Sequence, residues 1–158
     1  MNAQTQNPSQ SQFQSPSRSQ SPSNSECAID HVSELAMPTE QLTHAIIGAA
    51  IEVHRHLGPG LFESIYERAM IHELGVRGIP FRSQVAIPMT YKGVPVGDYF
   101  ADLIIADRVI VELKSVAALH NAHVTQVVSY LRSTNLRLGL LINFNSPVLV
   151  KGVKRVIR

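Results

Sequence analysis

The stretch from Asp98 to Ser115, DYFADLIIADRVIVELKS, decides how this chain folds. Two runs of aliphatic residues flank the polar break Ala106-Asp107-Arg108, which is typical of a tight β-hairpin. If the break forms the loop, Asp102 lies opposite Glu112 and one face is wholly aliphatic, because strand side chains alternate. That face would consist of Leu103, Ile105, Val109, Val111 and Leu113. A two-residue loop would put the carboxylates on opposite faces, so we expect the three-residue loop.

In this register Asp102, Glu112 and Lys114 share one face of the sheet, with the two carboxylate Cβ atoms roughly 5 Å apart. Opposed like charges repel unless something positive lies between them. A hard divalent cation would fit, because Mg²⁺ and Mn²⁺ prefer carboxylate oxygens. Alternatively, Lys114 simply pairs with both acids as a partly exposed ion cluster.

Several ordered motifs resemble one known superfamily. Asp102 followed by Glu112-Leu113-Lys114 resembles the D…(D/E)xK signature of the PD-(D/E)XK nucleases. The run from Gln126 to Tyr130, QVVSY, is similar to the QxxxY helix motif of RecB-like members. The run from Gly60 to Tyr66, GLFESIY, matches GxxExxY, the motif that names a small bacterial family placed in that superfamily. The resemblance covers about residues 38–158.

The resemblance implies a restriction-endonuclease-like core and metal-dependent hydrolysis of phosphodiester bonds, in DNA ahead of RNA. The implied cofactor is Mg²⁺ or Mn²⁺. Asp102 and Glu112 would hold the metal together with the backbone carbonyl of Leu113. Glu63 would complete the acidic cluster beside it.

The resemblance also assigns Lys114 to the nucleophilic water or the phosphate, Gln126 to positioning one of these groups, and Tyr130 to supporting the site or touching the nucleic-acid backbone. Plainer explanations stay open. A carboxylate in a first helical turn, as at Glu63, complements the helix dipole, and Gln126 with Tyr130 at i and i+4 would form the polar edge of a core helix. The alternative function is a non-catalytic nucleic-acid-binding or regulatory module on the same fold.

The hydrophobic pattern predicts an α/β fold, in which helices flank a central mixed sheet that contains an antiparallel meander. The predicted order is ααβββαβ, with an optional short strand near the end. Helices are expected at about 39–57, 61–74 and 118–132, and strands at about 82–90, 94–105 and 136–144 besides the hairpin. Thr39 with Glu40 would cap the first helix, and Gly75 would end the second.

The first 26 residues are rich in Ser, Gln, Asn and Pro and nearly lack aliphatic side chains, so we expect a disordered tail at 1–37 before a nuclease-like domain at 38–158. Met37 is an alternative initiator. The tail has neither a basic start nor an apolar core like a secretory signal, and no later apolar run is long enough to span a bilayer. We therefore expect a cytoplasmic protein without a membrane partner.

The net charge of only +2 does not by itself indicate nucleic-acid binding. Four basic side chains in the last residues either form a solvated edge or attract phosphates; they are Lys151, Lys154, Arg155 and Arg158. A domain of this size has little surface with which to grip a duplex, which favours a homodimer or a protein partner.

Overall fold

The computed structural model describes residues 37–158, so the predicted N-terminal tail lies outside the described residues. The elements in chain order are α1 (Thr39–Leu57), α2 (Glu63–Val76), β1 (Phe81–Tyr91), β2 (Val94–Ile105), β3 (Val109–Lys114), α3 (Asn121–Thr134), β4 (Leu138–Asn143), a 3₁₀ turn (Leu149–Gly152) and β5 (Val153–Ile157). The predicted order, including the optional last strand, is confirmed. No helix among these residues is long and apolar enough to cross a membrane.

The five strands form one mixed sheet in the order β1-β2-β3-β4-β5. The first three strands are an antiparallel meander, and α3 then carries the chain across to β4, which runs parallel to β3. All six residues of β4 are buried, as expected of a strand with both faces covered. Pro88 lies on β1, an edge strand that is also irregular at Met89 and Thr90, where a proline is tolerated.

Helices cover both faces of the sheet. On one face, α1 and α2 pack against the five aliphatic residues of the hairpin, so the predicted aliphatic face is confirmed. On the other face, Val127 and Leu131 of α3 pack against Ile104 and Ile110. The face that carries the carboxylates is therefore also covered along part of its length.

The second helix begins and ends later than predicted. Leu61 precedes the helix and is partly exposed, and the buried stripe is Tyr66, Met70 and Leu74. Gly75 lies inside the helix. The glycine that ends it is Gly78, with a φ of 63°; the N–H of Gly78 bonds Gly75 (3.0 Å) and that of Ile79 bonds Leu74 (3.0 Å). This is the Schellman arrangement, which needs positive φ one residue after the cap.

The other helix starts also differ in detail. The bounds of α1 are as predicted, but its N-cap is Pro38 and no side chain caps it, so the capping role expected of Thr39 was wrong. Helix α3 begins at Asn121, later than predicted, because His120 and His123 form a reciprocal capping box there.

Candidate active site

The hairpin pairs over a short distance and then opens into a fork. Ile105 pairs with Val109, which confirms the three-residue loop, and the ladder ends where Leu103 pairs with Val111. Beyond that pair, β2 and β3 continue without pairing with each other, while β3 stays bonded to β4 as far as Lys114. We call this opening, which starts at Asp102 and Glu112, the fork.

Asp102 lies where β2 changes the direction of its side chains. Residues two apart on a strand normally share a face, yet Ala101 packs on the α3 side and Leu103 on the α1 and α2 side. The pairing with β1 skips Asp102 and its neighbour Gln84, whose φ of 48° is left-handed. The carboxylate turns into the fork and accepts a hydrogen bond from the N–H of Leu113 (2.8 Å).

The carbonyl of Leu113 also points toward the fork. The N–H and C=O of one strand residue point to the same side, and the N–H of Leu113 points at Asp102. The next residue, Lys114, points its carbonyl the other way, where it accepts from the N–H of Phe144 (2.8 Å). The fork therefore brings together one side-chain carboxylate and one backbone oxygen.

Glu112 has a buried carboxyl group, one oxygen of which has no hydrogen-bond partner among the described residues. Its side chain is only 2% exposed, and Oε1 accepts a hydrogen bond from Lys114 Nζ (2.7 Å). Oε2 is buried and has no hydrogen-bond partner among the described residues. Burial, followed by the negative charge of Asp102, raises the pKa of Glu112 to about 7, and the hydrogen bond and charge of Lys114 only partly oppose this. A buried oxygen of this kind is costly unless something binds it.

Lys114 joins the acids of two different elements. Besides Glu112, its Nζ lies 3.7 Å from Oε1 of Glu63 in the first turn of α2. Burial alone would lower the pKa of Lys114, but the hydrogen bond to Glu112 and the nearby carboxylates outweigh it, so the pKa is raised. The lysine is therefore a cation at neutral pH in the metal-free protein.

Tyr66 holds the loop that precedes Glu63. Its ring is fully buried and stacked on Phe144, with centroids 4.4 Å apart. Its hydroxyl donates to the carbonyl of Gly58 (2.6 Å) and accepts from the N–H of Leu61 (3.1 Å). The tyrosine of the GxxExxY run thus positions the glutamate.

Gln126 and Tyr130 lie on α3, which packs on the face of the sheet opposite to α1 and α2. Gln126 Nε2 donates to the hydroxyl of Tyr130 (2.6 Å), which donates to the carbonyl of Phe100 (3.3 Å). Burial raises the pKa of Tyr130, and the charges of Glu112 and Asp102 add to this while the bond from Gln126 opposes it. The pair therefore lies close to the acids, although neither side chain hydrogen-bonds to them in the described part of the chain.

Two further polar residues at the fork were not predicted. Gln84 donates to Glu67 (2.6 Å) and more weakly to Asp102 (3.5 Å), and the charge of Glu67 contributes to the raised pKa of Asp102, whose main cause is burial. Glu67 lies four residues after Glu63, so the helical period was an available signal. Gln84 has no such signal, because its placement depends on the irregular backbone of β1.

The oxygens of the fork fit a hard divalent cation. Asp102, Glu112 and the carbonyl of Leu113 are the ligand types that Mg²⁺ and Mn²⁺ prefer, and the unbonded oxygen of Glu112 is available to one. In residues 37–158 no three His, Cys, Asp or Glu side chains converge as a ligand set. Water and backbone would therefore complete the shell, as is usual for Mg²⁺. The carboxylate of Glu63 lies nearest to Lys114, so its part in binding a metal stays a prediction.

Comparison with known proteins gives one match. A family model described as the PD-(D/E)XK nuclease superfamily matches residues 40–156, which include the fork and every residue assigned to it. No similar curated protein and no similar solved structure was found. The match concerns the superfamily as a whole, so the GxxExxY family and the QxxxY variant remain predictions.

Proposed function

We propose, on the premise that this chain belongs to the PD-(D/E)XK nuclease superfamily, that it hydrolyses phosphodiester bonds with the help of Mg²⁺ or Mn²⁺. DNA is the proposed substrate ahead of RNA. The observation that carries the proposal is the buried, unbonded Oε2 of Glu112 beside Asp102 and Lys114. A purely structural ion pair has no need for that oxygen or for a second carboxylate.

In this proposal Asp102, Glu112 and the carbonyl of Leu113 hold the metal, with Glu63 as a further acid. The cation would neutralise charge on the phosphate and lower the pKa of the attacking water. The hydrogen bond from Leu113 to Asp102 holds that carboxylate in the fork before any ligand arrives. Preorganisation of this kind avoids reorganisation during the reaction.

Lys114 is the proposed catalytic cation. Because its pKa is raised, it donates hydrogen bonds instead of accepting a proton, so we assign it to orienting the water and stabilising charge on the phosphate. Glu63, 3.7 Å away, keeps the ammonium group near the reacting atoms. Gln126 would position the water or a phosphate oxygen, and Tyr130 would hold the amide of Gln126 in place.

We also assign the chain to the GxxExxY family and to the QxxxY variant. The support for the first is that Tyr66 fixes the loop in front of Glu63. The support for the second is that Gln126 and Tyr130 bond each other on the side of α3 that approaches the acids.

The test is cleavage of labelled DNA and RNA, single- and double-stranded, with Mg²⁺, Mn²⁺ or EDTA. The wild type is compared with Lys114→Met and with Lys92→Met, which changes an exposed lysine in the turn between β1 and β2. We expect cutting only with metal, a loss of about 100-fold or more in Lys114→Met, and wild-type rates in Lys92→Met. Thermal unfolding checks that both variants are folded.

Equal cutting by the wild type and Lys114→Met would reveal a contaminating nuclease and contradict the proposal. No cutting of any substrate, with nucleic acid still bound, would favour the non-catalytic binding module instead. Isothermal titration of Mn²⁺ gives a second readout, and we expect Asp102→Asn to bind it more weakly than Asp107→Asn, a change in the exposed hairpin loop.

A further inference from the structure

Two exposed aromatic rings flank the fork from opposite faces of the sheet. Phe62, which directly precedes Glu63 at the start of α2, is 83% exposed. Tyr99 of β2 is 52% exposed, and its ring centroid lies 5.7 Å from that of Tyr130 in α3.

The ring of Tyr99 forms one wall of a cavity of about 320 Å³. The other lining residues are Ala122, Thr125, Gln126, Ser129 and Tyr130 of α3. This volume is at the lower end of the range for small-ligand sites, about 300 to 1,000 Å³. The cavity offers an aromatic surface together with hydroxyl and amide groups, which suits a flat, polar-edged ring.

The cavity adjoins the fork through Gln126. This residue lines the cavity and bonds Tyr130, whose hydroxyl donates to the carbonyl of Phe100, two residues before Asp102 on β2. A group held at Tyr99 would therefore be attached to atoms that lie near the acids. No other residue that lines the cavity bonds to Gln126 among the described contacts, so the remaining amide hydrogen of Gln126 is available to a ligand.

The cavity is better suited to a flat base than to the phosphates of a duplex. None of the residues that line the cavity is charged. Several arginines are engaged by carboxylates elsewhere: Arg55 by Glu52, Arg77 by Glu73, Arg82 by Asp107 and Arg155 by Glu40. Duplex binding depends on neutralising phosphates, whereas unpaired strands also bind by stacking their bases on aromatic side chains.

We propose that the cavity beside Tyr99 binds an unpaired nucleobase by stacking, so that the substrate presented to the fork is single-stranded nucleic acid. The substrate choice rests on the proposed nuclease function, whereas the base-binding cavity does not. Phe62 offers a second stacking surface for a nucleotide on the other side of the fork. Because every base has an aromatic face, binding would tolerate different sequences.

The test is fluorescence anisotropy of the full chain with a labelled oligothymidylate and with a duplex of the same length, in EDTA to prevent cutting. The variants are Tyr99→Leu, which removes the ring but keeps apolar bulk, and Tyr99→Phe, which keeps the ring. Tyr91→Leu is the matched control, since Tyr91 is also exposed but lies at the far end of the β1–β2 hairpin. We expect tighter binding to the single strand, weakened about tenfold by Tyr99→Leu and unchanged by the other two.

Cleavage with Mn²⁺ is measured in parallel. If Tyr99→Leu binds the single strand as well as the wild type does, or if the wild type prefers the duplex, the base-binding cavity is wrong, even when metal-dependent cutting is seen. If binding depends on the ring of Tyr99 but no substrate is cut, the base-binding proposal is supported and the nuclease proposal is contradicted. If the protein binds neither oligonucleotide, the base-binding proposal is also contradicted.

Discussion

A bound ligand would stabilise the side chain of Glu112. It is buried, close to a second carboxylate, and bonded at only one of its oxygens in the described structure. The ion pair with Lys114 offsets part of the energetic cost of burying this carboxyl group. Because the carboxyl group is buried and only partly hydrogen-bonded, it is a candidate metal ligand. For the same reason it destabilises the protein when no cation is bound in the fork.

The burial of this carboxyl group predicts a pH dependence for the metal-free protein. The pKa of Glu112 is raised from 4.5 to about 7, so its favourable contribution is complete below pH 4.5 and is lost as the pH rises through about 7. Above pH 7 in EDTA, Glu112→Gln should therefore be more stable than the wild type, by on the order of 2 kcal/mol. The difference should vanish below pH 4.5.

Urea denaturation of both proteins at the two ends of this range measures the effect, and Asp98→Asn serves as the control because Asp98 is an exposed carboxylate of β2 with no ion pair among the described residues. Added Mg²⁺ should remove the advantage of the glutamine variant, since only the wild type would gain from the metal. Parallel pH profiles of the wild type and Glu112→Gln would contradict the prediction.

At the scale of the elements, the site depends on how closely α3 lies on the sheet. Gly139 of β4 faces Val127 and Leu131, and a Cβ at this position would overlap the side chain of Val127. The helix that carries Gln126 and Tyr130 can therefore approach only because this residue has no side chain. The other helix of the site, α2, is fixed by Tyr66 and its bonds to the preceding loop.

We expect Gly139→Ala to lower the free energy of unfolding by about 1 to 3 kcal/mol, because the helix must move outward or the side chains must strain. The matched change is Gly75→Ala in α2, where an added Cβ meets nothing within 4 Å. That variant should be stabilised by about 0.5 to 1 kcal/mol. Chemical denaturation measures both, and a Gly139→Ala protein as stable as the wild type would show that α3 is not held this tightly.

At the scale of the whole molecule, residues 37–158 contain both hydrophobic cores of the described fold. Two buried clusters, one on each face of the sheet, are built from residues between Leu42 and Val156. The family match begins at residue 40, within the same span. The division of the chain into a tail and a domain stays a prediction, and it has a direct consequence for folding.

A chain that begins at Met37 should unfold with the same midpoint and the same response to Mn²⁺ as the full chain, because its core is intact. Differential scanning calorimetry of the two proteins, with and without metal, makes this comparison. A lower midpoint in the shorter chain would show that the first 36 residues contribute to stability. The alternative start at Met37 is separately excluded if the intact mass from native cells includes those residues.

The elements, their order and the register of the hairpin could be predicted from the amino-acid sequence. These follow from local rules, since the strand period of two makes only the three-residue loop compatible with an aliphatic face. The structure bears this out down to the pairing of Ile105 with Val109. The sequence also indicated which residues to examine, because the motifs resemble a superfamily to which the chain belongs.

Where the hairpin ladder stops, and which side chains meet there, depends on the packing of the whole fold. The end of the ladder depends on helices packed on both faces and on the irregular backbone at Gln84, which no local pattern encodes. For the same reason the sequence could not predict Gln84, which donates to both Glu67 and Asp102. Periodicity and turn chemistry act within a few residues, whereas the fork joins side chains from α2, β1, β2 and β3 with α3 close by, so its composition is a property of the packed fold.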